Sequence, residues 1–107
     1  SILYGDECGL CGFDDPYCRA PMPWDKPDNE IYNLYKSLGN IRREFKSEFS
    51  SPLKLDKKQA GLVSFTRGRL RLIINLAAPA YAVNNPLCGY KLENNRLFAG
   101  GFAITLT

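Results

Sequence analysis

A proline-rich stretch, residues 5–27, limits what this chain can fold into more than any other feature. It carries Pro16, Pro21, Pro23 and Pro27, which lie too close together for either a helix or a central strand. The sequence therefore predicts one long loop. Loops of this length without regular structure are uncommon inside compact domains, and those that occur are usually functional.

Regular structure is predicted on both sides of the loop. Before it, the apolar residues 1–4 run into Gly5-Asp6-Glu7 and indicate the end of a strand, which at the start of a chain without an initiator Met suggests a piece of a longer protein. After it, Asp28 is suited to cap a helix predicted over residues 28–47. That helix carries one apolar stripe, made of Ile31, Leu34, Tyr35, Leu38, Ile41 and Phe45.

From residue 51 onward the pattern changes to short strands. Arg67-Gly68-Arg69 is typical of a hairpin turn, and Gly100-Gly101 of a break between strands. The spacing of about eight to twelve residues between strands favours a small antiparallel β-sandwich or barrel. The predicted strands are residues 53–55, 62–67, 70–77, 81–83, 90–92, 96–98 and 102–106.

Composition and charge argue against several kinds of partner. The chain has 107 residues, the size of one domain, and its 45% hydrophobic content is enough for a modest core. Its 14 basic and 11 acidic residues give a net charge of only +3 and are intermixed, so no nucleic-acid partner is predicted. The densest positive cluster is Arg67, Arg69 and Arg71, which we interpret as one solvated strand face. No apolar run is long enough to span a membrane.

The chain contains no histidine, which excludes histidine acid–base catalysis, histidine-ligated metals and triads of the serine hydrolase type. It has four cysteines but no secretory signal segment, so reduced thiols and a cytoplasmic location are expected. No cofactor is predicted.

The cysteines raise the possibility of a metal site. Cys8-Gly9-Leu10-Cys11-Gly12 has the form of a zinc knuckle, and Cys18 and Cys88 would complete a set of four thiolates. Against this, Cys18 and Cys88 are seventy residues apart, whereas structural zinc sites usually supply their ligands as two tight pairs. A small Cys-ligated zinc protein stays open as an alternative. A thioredoxin-like role is disfavoured because the residues after Cys11 do not start a helix.

The loop is also rich in carboxylates. Glycoside hydrolysis needs two carboxyl groups about 5 to 10 Å apart, and several pairs here would qualify by residue type. However, Asp6 is suited to bind loop amides, and Asp15 before Pro16 is an ordinary turn former. The residues alone therefore assign no reaction. The carboxylates concerned are Asp6, Glu7, Asp14, Asp15 and Asp25.

A family resemblance is carried by four segments of the loop. In order they are YGDE (residues 4–7), Gly9-Leu10 with Gly12, DPYCR (residues 15–19) and PMPWD (residues 21–25). They resemble the end of the catalytic domain of the α-amylase family of glycosidases, and most of all its neopullulanase and cyclomaltodextrinase branch. The helix and the following strands are also similar to that family, although less specifically.

The resemblance implies a fold and a role. Residues 1–50 would be the last strand, loop and helix of a (β/α)8 catalytic barrel, and residues 51–107 a C-terminal β-sandwich domain. Asp15 and Arg19 would bind an α-glucan or maltooligosaccharide, and the chemistry fits, because a carboxylate accepts and a guanidinium donates hydrogen bonds to sugar hydroxyls. An ion pair between these two residues within the loop is an equally open alternative. The family's catalytic carboxylates come from earlier barrel strands, so this chain alone is predicted to be non-catalytic, with no catalytic residue of its own.

A different binding function is also open. The β-sandwich itself would hold carbohydrate if Tyr81, Tyr90 or Phe98 served as a stacking platform, although aromatic rings in short strands are more often part of the core. We further expect residues 1–27 to be the least stable part of the chain, because their strand lacks its barrel neighbours.

Overall fold

The computed structural model describes residues 2–12, 19–56 and 59–107. The chain forms two compact units, Ser1–Gly39 and Asn40–Thr107. Within these residues the secondary structure is mainly antiparallel β-sheet with one α-helix, which confirms the predicted fold class. The division into barrel residues 1–50 and sandwich residues 51–107 stays a prediction.

The first unit begins with a short turn. Residues Asp6–Cys8 form a 3-10 helix between Gly5 and Gly9. The predicted strand is not formed by residues 2–4, whose side chains are all exposed. A strand needs a hydrogen-bonded neighbour, and these residues pair with none in the described chain.

Helix α1 spans Asn29–Glu44. Asp28 caps it as predicted, because its Oδ1 accepts the backbone N–H groups of Glu30 at 3.0 Å and Ile31 at 3.1 Å. The helix ends earlier than predicted, since Phe45 leaves helical geometry (φ −103°, ψ 32°) and a 3-10 turn, Lys46–Ser50, follows. Within the predicted apolar stripe only Ile41 and Phe45 are buried; the other members are half-buried.

The sheet contains six strands within the described residues, all paired antiparallel. Their order is β1-β2-β3-β6-β4, with β5 also paired to β6. The strands are β1 Leu53–Leu55, β2 Leu62–Arg67, β3 Leu70–Asn75, β4 Tyr81–Ala82, β5 Pro86–Glu93 and β6 Arg96–Leu106. Gly68 and Arg69 form the two-residue turn between β2 and β3, as predicted.

Strand β6 organises the domain. Its start pairs with β4 at Leu97, its later part pairs with β3 from Gly101 onward, and β5 pairs along both parts. The predicted break at Gly100-Gly101 is wrong, because the pairing of Gly101 with Asn75 carries the ladder through it. Since one long strand changes partners in this way, the sheet has the sandwich-like character that was predicted.

Apolar residues are buried against both faces of the sheet. One cluster comprises Leu62, Ile73, Val83, Leu97 and Ala103. On the opposite face Leu70 packs with Ile41 from the end of α1 and with Phe45 directly after it. In the β2–β3 register, Phe65 lies opposite Leu72 on one face and Ser64 opposite Ile73 on the other. The alternation of side chains along the strands therefore determines which residues reach each cluster.

The arginine cluster does not form the single solvated face that was expected. Arg69 lies in the turn, and Arg67 and Arg71 occupy opposite faces of the β2–β3 hairpin. Each makes its own contact: Arg67 Nε donates to the Ser51 carbonyl at 2.9 Å, and Arg69 and Arg71 pair with the carboxylates of Glu48 and Asp56. The three cations are therefore dispersed, and the two ion pairs neutralise much of the local charge.

Candidate functional site

A cleft opens in the first unit beside the turn Asp6–Cys8. Its volume is about 600 Å³, which lies within the range of ligand-binding clefts. Five of its described lining residues lie in the segments that carry the family resemblance, and three of these, Tyr4, Asp6 and Arg19, have polar or aromatic side chains. Asp15, the other predicted substrate-binding residue, and Cys18 lie outside the described residues. The remaining described lining residues are Leu3, Leu10 and Gly12.

Asp6 is held in place by the local backbone. Its Oδ2 accepts the Leu3 N–H at 2.9 Å, and its own N–H donates to the Leu3 carbonyl at 3.2 Å. Gly5 makes the turn possible, because its φ of 83° is left-handed and a Cβ there would lie 2.7 Å from the Leu10 side chain. Asp6 therefore binds a backbone amide as predicted, although that amide belongs to Leu3, which directly precedes the loop.

Cys8 anchors the turn to the start of α1. Its side chain is buried, its N–H donates to the Gly5 carbonyl at 3.0 Å, and its carbonyl accepts the Asp28 N–H at 3.1 Å. Because a buried backbone carbonyl needs a hydrogen-bond partner, this contact fixes the loop where the helix begins. These contacts assign Cys8 a structural role.

The cleft combines groups suited to a neutral, hydroxyl-rich ligand. The Arg19 guanidinium donates hydrogen bonds, the Asp6 carboxylate accepts them, and the exposed Tyr4 ring offers an apolar surface. Among the described lining residues Asp6 is the only carboxylate. The described part of the cleft is therefore equipped for binding and orientation rather than for the two-carboxylate chemistry of glycoside hydrolysis.

The PMPWD segment, which also carries the family resemblance, is not among the lining residues of the cleft. Trp24 is instead exposed, in a turn where its N–H donates to the Met22 carbonyl at 2.9 Å. Sequence reasoning missed Leu3 and Leu10. The signal for Leu10 was the glycine at position 5, whose missing side chain leaves room for it.

The cysteines were the candidates for a metal site. Cys8, Cys11 and Cys88 carry free thiols, and the Cys11 Sγ donates to the Gly9 carbonyl at 3.5 Å. Burial raises the pKa of the Cys88 thiol, which disfavours the thiolate that zinc requires. The parts of the chain that the structure describes contain no group of three or more Cys, Asp or Glu placed to hold a metal ion.

The aromatic residues proposed as sugar platforms differ in their surroundings. Tyr81 is half-buried and packs against the Leu62 core cluster, whereas Tyr90 and Phe98 are exposed. Tyr81 also lines a second, smaller cavity together with Arg71 and Gln59. Sequence reasoning did not identify Gln59 or Arg71 as site residues, because only the β2–β3 register brings Arg71 to the face that carries Ser64.

Comparison with known proteins gives a consistent set of relatives. The chain is similar to cyclomaltodextrinases, neopullulanases and amylopullulanases. It is 51% identical over 45 residues to a cyclomaltodextrinase of Thermoanaerobacter pseudethanolicus, a match covering 40% of this chain and 8% of that protein. It is 36% identical over 70 residues to neopullulanase 2 of Thermoactinomyces vulgaris, covering 62% and 12% respectively. It is 43% identical over 44 residues to an amylopullulanase of Thermoanaerobacter thermohydrosulfuricus, covering 41% and 3%.

These matches concern a small part of each relative, since the chain spans 3 to 12% of the length of those three proteins. No family model matches the chain. In the described residues, no helix has both the length and the apolar character that crossing a membrane requires.

Proposed function

We propose that this chain is the C-terminal part of a glycoside hydrolase that acts on α-glucans or maltooligosaccharides. One observation carries the proposal: three of the four segments that carry the family resemblance line one cleft, through Asp6 of YGDE, Leu10 of the second segment and Arg19 of DPYCR. Similarity to proteins named cyclomaltodextrinase, neopullulanase and amylopullulanase supports it. A bacterial source, which the resemblance implies, and the predicted cytoplasmic location belong to the same proposal.

In this proposal residues 1–50 complete a (β/α)8 barrel, and residues 51–107 are the domain that follows it. The exposure of Ile2, Leu3 and Tyr4 supports this arrangement. Three consecutive exposed apolar side chains are unfavourable in water, and a neighbouring barrel strand would bury them and pair their backbone groups. The same exposure agrees with the expectation that residues 1–27 are the least stable part.

Arg19 is the residue that we expect to contact the glucan. Its planar guanidinium is suited to donate two parallel hydrogen bonds to adjacent sugar hydroxyls, and a carboxylate at Asp15 would accept from the same hydroxyls. The assignment of Asp15 rests on the resemblance alone. Bonds of this kind hold the sugar ring still relative to the reacting bond, which lowers the entropic part of the barrier.

The chemistry itself would belong to the longer protein. We expect retaining hydrolysis, in which one carboxylate forms a glycosyl-enzyme intermediate and a carboxylic acid protonates the leaving oxygen. The residue pair for this reaction would come from segments outside this chain. Alone, the chain is expected to bind without hydrolysing.

The test is kinetic and uses the longer protein that contains this chain. Arg19→Ala should raise KM for a maltooligosaccharide by about tenfold or more, because a charge-assisted hydrogen bond contributes about 1.5 to 3 kcal/mol. Arg19→Lys should recover only part of the loss, since it keeps the charge but not the fork. Lys36→Ala, on the exposed side of α1, is the matched control and should leave KM unchanged. A longer protein that hydrolyses no α-glucan would overturn the proposal.

A further inference from the structure

A small cavity on the sheet of the second unit is not used by the proposed function. It has a volume of about 40 Å³ and lies where β2, β3 and β4 contribute side chains to one face. Its lining combines buried apolar groups with polar groups that include both hydrogen-bond donors and acceptors. The lining residues are Gln59, Leu62, Ser64, Arg71, Ile73 and Tyr81.

The polar wall is fixed in advance by Asp56. This carboxylate accepts hydrogen bonds from Ser64 Oγ at 2.8 Å, Thr66 Oγ1 at 2.9 Å and Arg71 Nε at 3.1 Å. Arg71 Nη2 also donates to Ser64 Oγ at 3.4 Å. Because Arg71 is bound through both Nε and Nη2, its guanidinium loses little further conformational entropy when a ligand binds.

The charges of Asp56 and Arg71 decide whether a charged or a neutral ligand would bind in this cavity. The Ser64 hydroxyl, and then Thr66 and Arg71, lower the pKa of Asp56, so the carboxylate remains ionised at neutral pH. Its negative charge neutralises Arg71 at the cavity wall. An anion would therefore gain little there, whereas a neutral polar ligand meets no net charge.

Hydrogen-bonding capacity is left over for such a ligand. A guanidinium has five N–H groups, and only two of those of Arg71 are engaged by described residues. The Gln59 amide and the Tyr81 hydroxyl have no hydrogen-bond partner within residues 2–12, 19–56 and 59–107. Together these groups both donate and accept, which matches sugar hydroxyls, while Leu62 and Ile73 provide an apolar floor for C–H groups.

The size of the cavity limits what enters it. A volume of this order holds one or two waters, so a hydroxyl or hydroxymethyl group fits but a pyranose ring does not. We propose that the cavity is a second glucan-binding site, in which one hydroxymethyl group of a glucose unit enters between Gln59 and Arg71 and the ring lies against Tyr81. That the sugar is a glucan rests on the proposed function; the site itself is argued from the cavity.

The experiment is a two-dimensional NMR titration of the 107-residue chain with maltotriose. We expect saturable shifts of the Arg71 Nε–H and Gln59 side-chain amide signals, with a Kd on the order of 1 mM. Gln59→Ala should weaken binding about fivefold, the loss expected for one hydrogen bond. Because Gln59 is exposed and outside the strands, this variant should fold. Tyr81→Leu should weaken binding about tenfold, and Tyr90→Leu, the aromatic control, should not.

Two results would overturn the inference. One is the absence of saturable shifts at Arg71 and Gln59 with maltotriose, even if signals of Arg19 and the cleft respond. The other is a response to inorganic phosphate but not to maltotriose, which would indicate an anion site. Neither result touches the proposed function, because that depends on hydrolysis by the longer protein and on Arg19→Ala.

Discussion

The carbonyl of Cys8 and the N–H of Asp28 meet at 3.1 Å, and this single bond joins the end of the first turn to the start of α1. Asp28 therefore has two functions, since its backbone holds the loop while its carboxylate caps the helix. The two ends of the loop are thereby held next to each other. Arg19 lies in this loop and lines the cleft.

Asp28→Ala tests the capping half of this arrangement. Loss of the two hydrogen bonds to Glu30 and Ile31 should lower the free energy of unfolding by about 1 kcal/mol. Urea denaturation followed by circular dichroism at 222 nm (a wavelength that reports helix) measures the change. Asp25→Ala is the control, because this exposed aspartate lies in the same loop and should change stability by less than about 0.5 kcal/mol. Equal losses in the two variants would contradict the capping role.

Gly39→Ala should stabilise the chain. Gly39 lies inside α1, is exposed, and has no heavy atom within 4 Å of the position that a Cβ would occupy. Alanine is favoured over glycine in a helix interior by about 1 kcal/mol. A thermal melt should therefore show a higher Tm, by about 4 to 8 °C for a domain of this size. An unchanged or lower Tm would show that the helix is not formed at residue 39.

Gly68→Ala should have the opposite effect. Gly68 has a left-handed φ of 57°, and a Cβ there would collide with the Glu48 carboxylate, which already holds Arg69 through its backbone N–H at 2.9 Å and its Nε at 2.8 Å. The turn conformation alone should cost about 1 to 2 kcal/mol. The same urea experiment measures it. A double variant Gly68→Ala/Glu48→Ala should recover the part of the loss that comes from the collision, and no recovery would assign the whole loss to backbone strain.

Much of the sheet was predictable because its signals are local. Strands β1 and β2 begin and end where the sequence predicted, since alternation of side chains and a glycine turn are both short-range features. Strand β5 was underestimated: its two register irregularities against β6 interrupt the alternation on which the prediction relied. The two glycines at 100 and 101 favoured a break, and only long-range pairing with Asn75 overrides them.

The candidate sites were less predictable, because most of their contacts join residues that are far apart in the sequence. Asp6 was correctly predicted to bind a backbone amide because its partner is only three residues away, although that partner, Leu3, precedes the loop. The Asp56 network joins residues 8 to 15 positions apart, and no periodicity in the sequence indicates it. The strand predicted at the N-terminus failed because strand formation depends on a partner, which the residues themselves do not specify.

Asp56 makes stability depend on pH. Its pKa is lowered in the folded chain, chiefly by the Ser64 hydroxyl, so the folded state holds the proton less tightly than the unfolded state does. The resulting stabilisation is fully present above the ordinary aspartate pKa of about 4 and is lost as pH falls through the lower folded value. Asp56→Asn should therefore lower the Tm at neutral pH and flatten its decline between about pH 4 and pH 2.

Glu48 contributes to the same decline, since its hydrogen bond from the Arg69 side chain lowers its pKa. Glu48→Gln is therefore the variant to compare with Asp56→Asn. The double variant Asp56→Asn/Glu48→Gln should show the smallest decline of Tm with falling pH. Differential scanning calorimetry across this pH range measures all three. A decline in Asp56→Asn as steep as in the parent chain would show that this carboxylate does not couple folding to pH.

The thiols should differ strongly in reactivity. Cys11 is exposed, Cys8 is buried, and Cys88 is half-buried with a pKa raised by that burial. Because the thiolate is the reactive form, iodoacetamide at about pH 8 should modify Cys11 at least about tenfold faster than Cys8 or Cys88 in the folded chain. Peptide mass spectrometry over time measures each rate, and urea should bring the three rates together. Equal rates without urea would contradict the burial of Cys8, and joint protection of all three by added zinc would instead support a thiolate metal site.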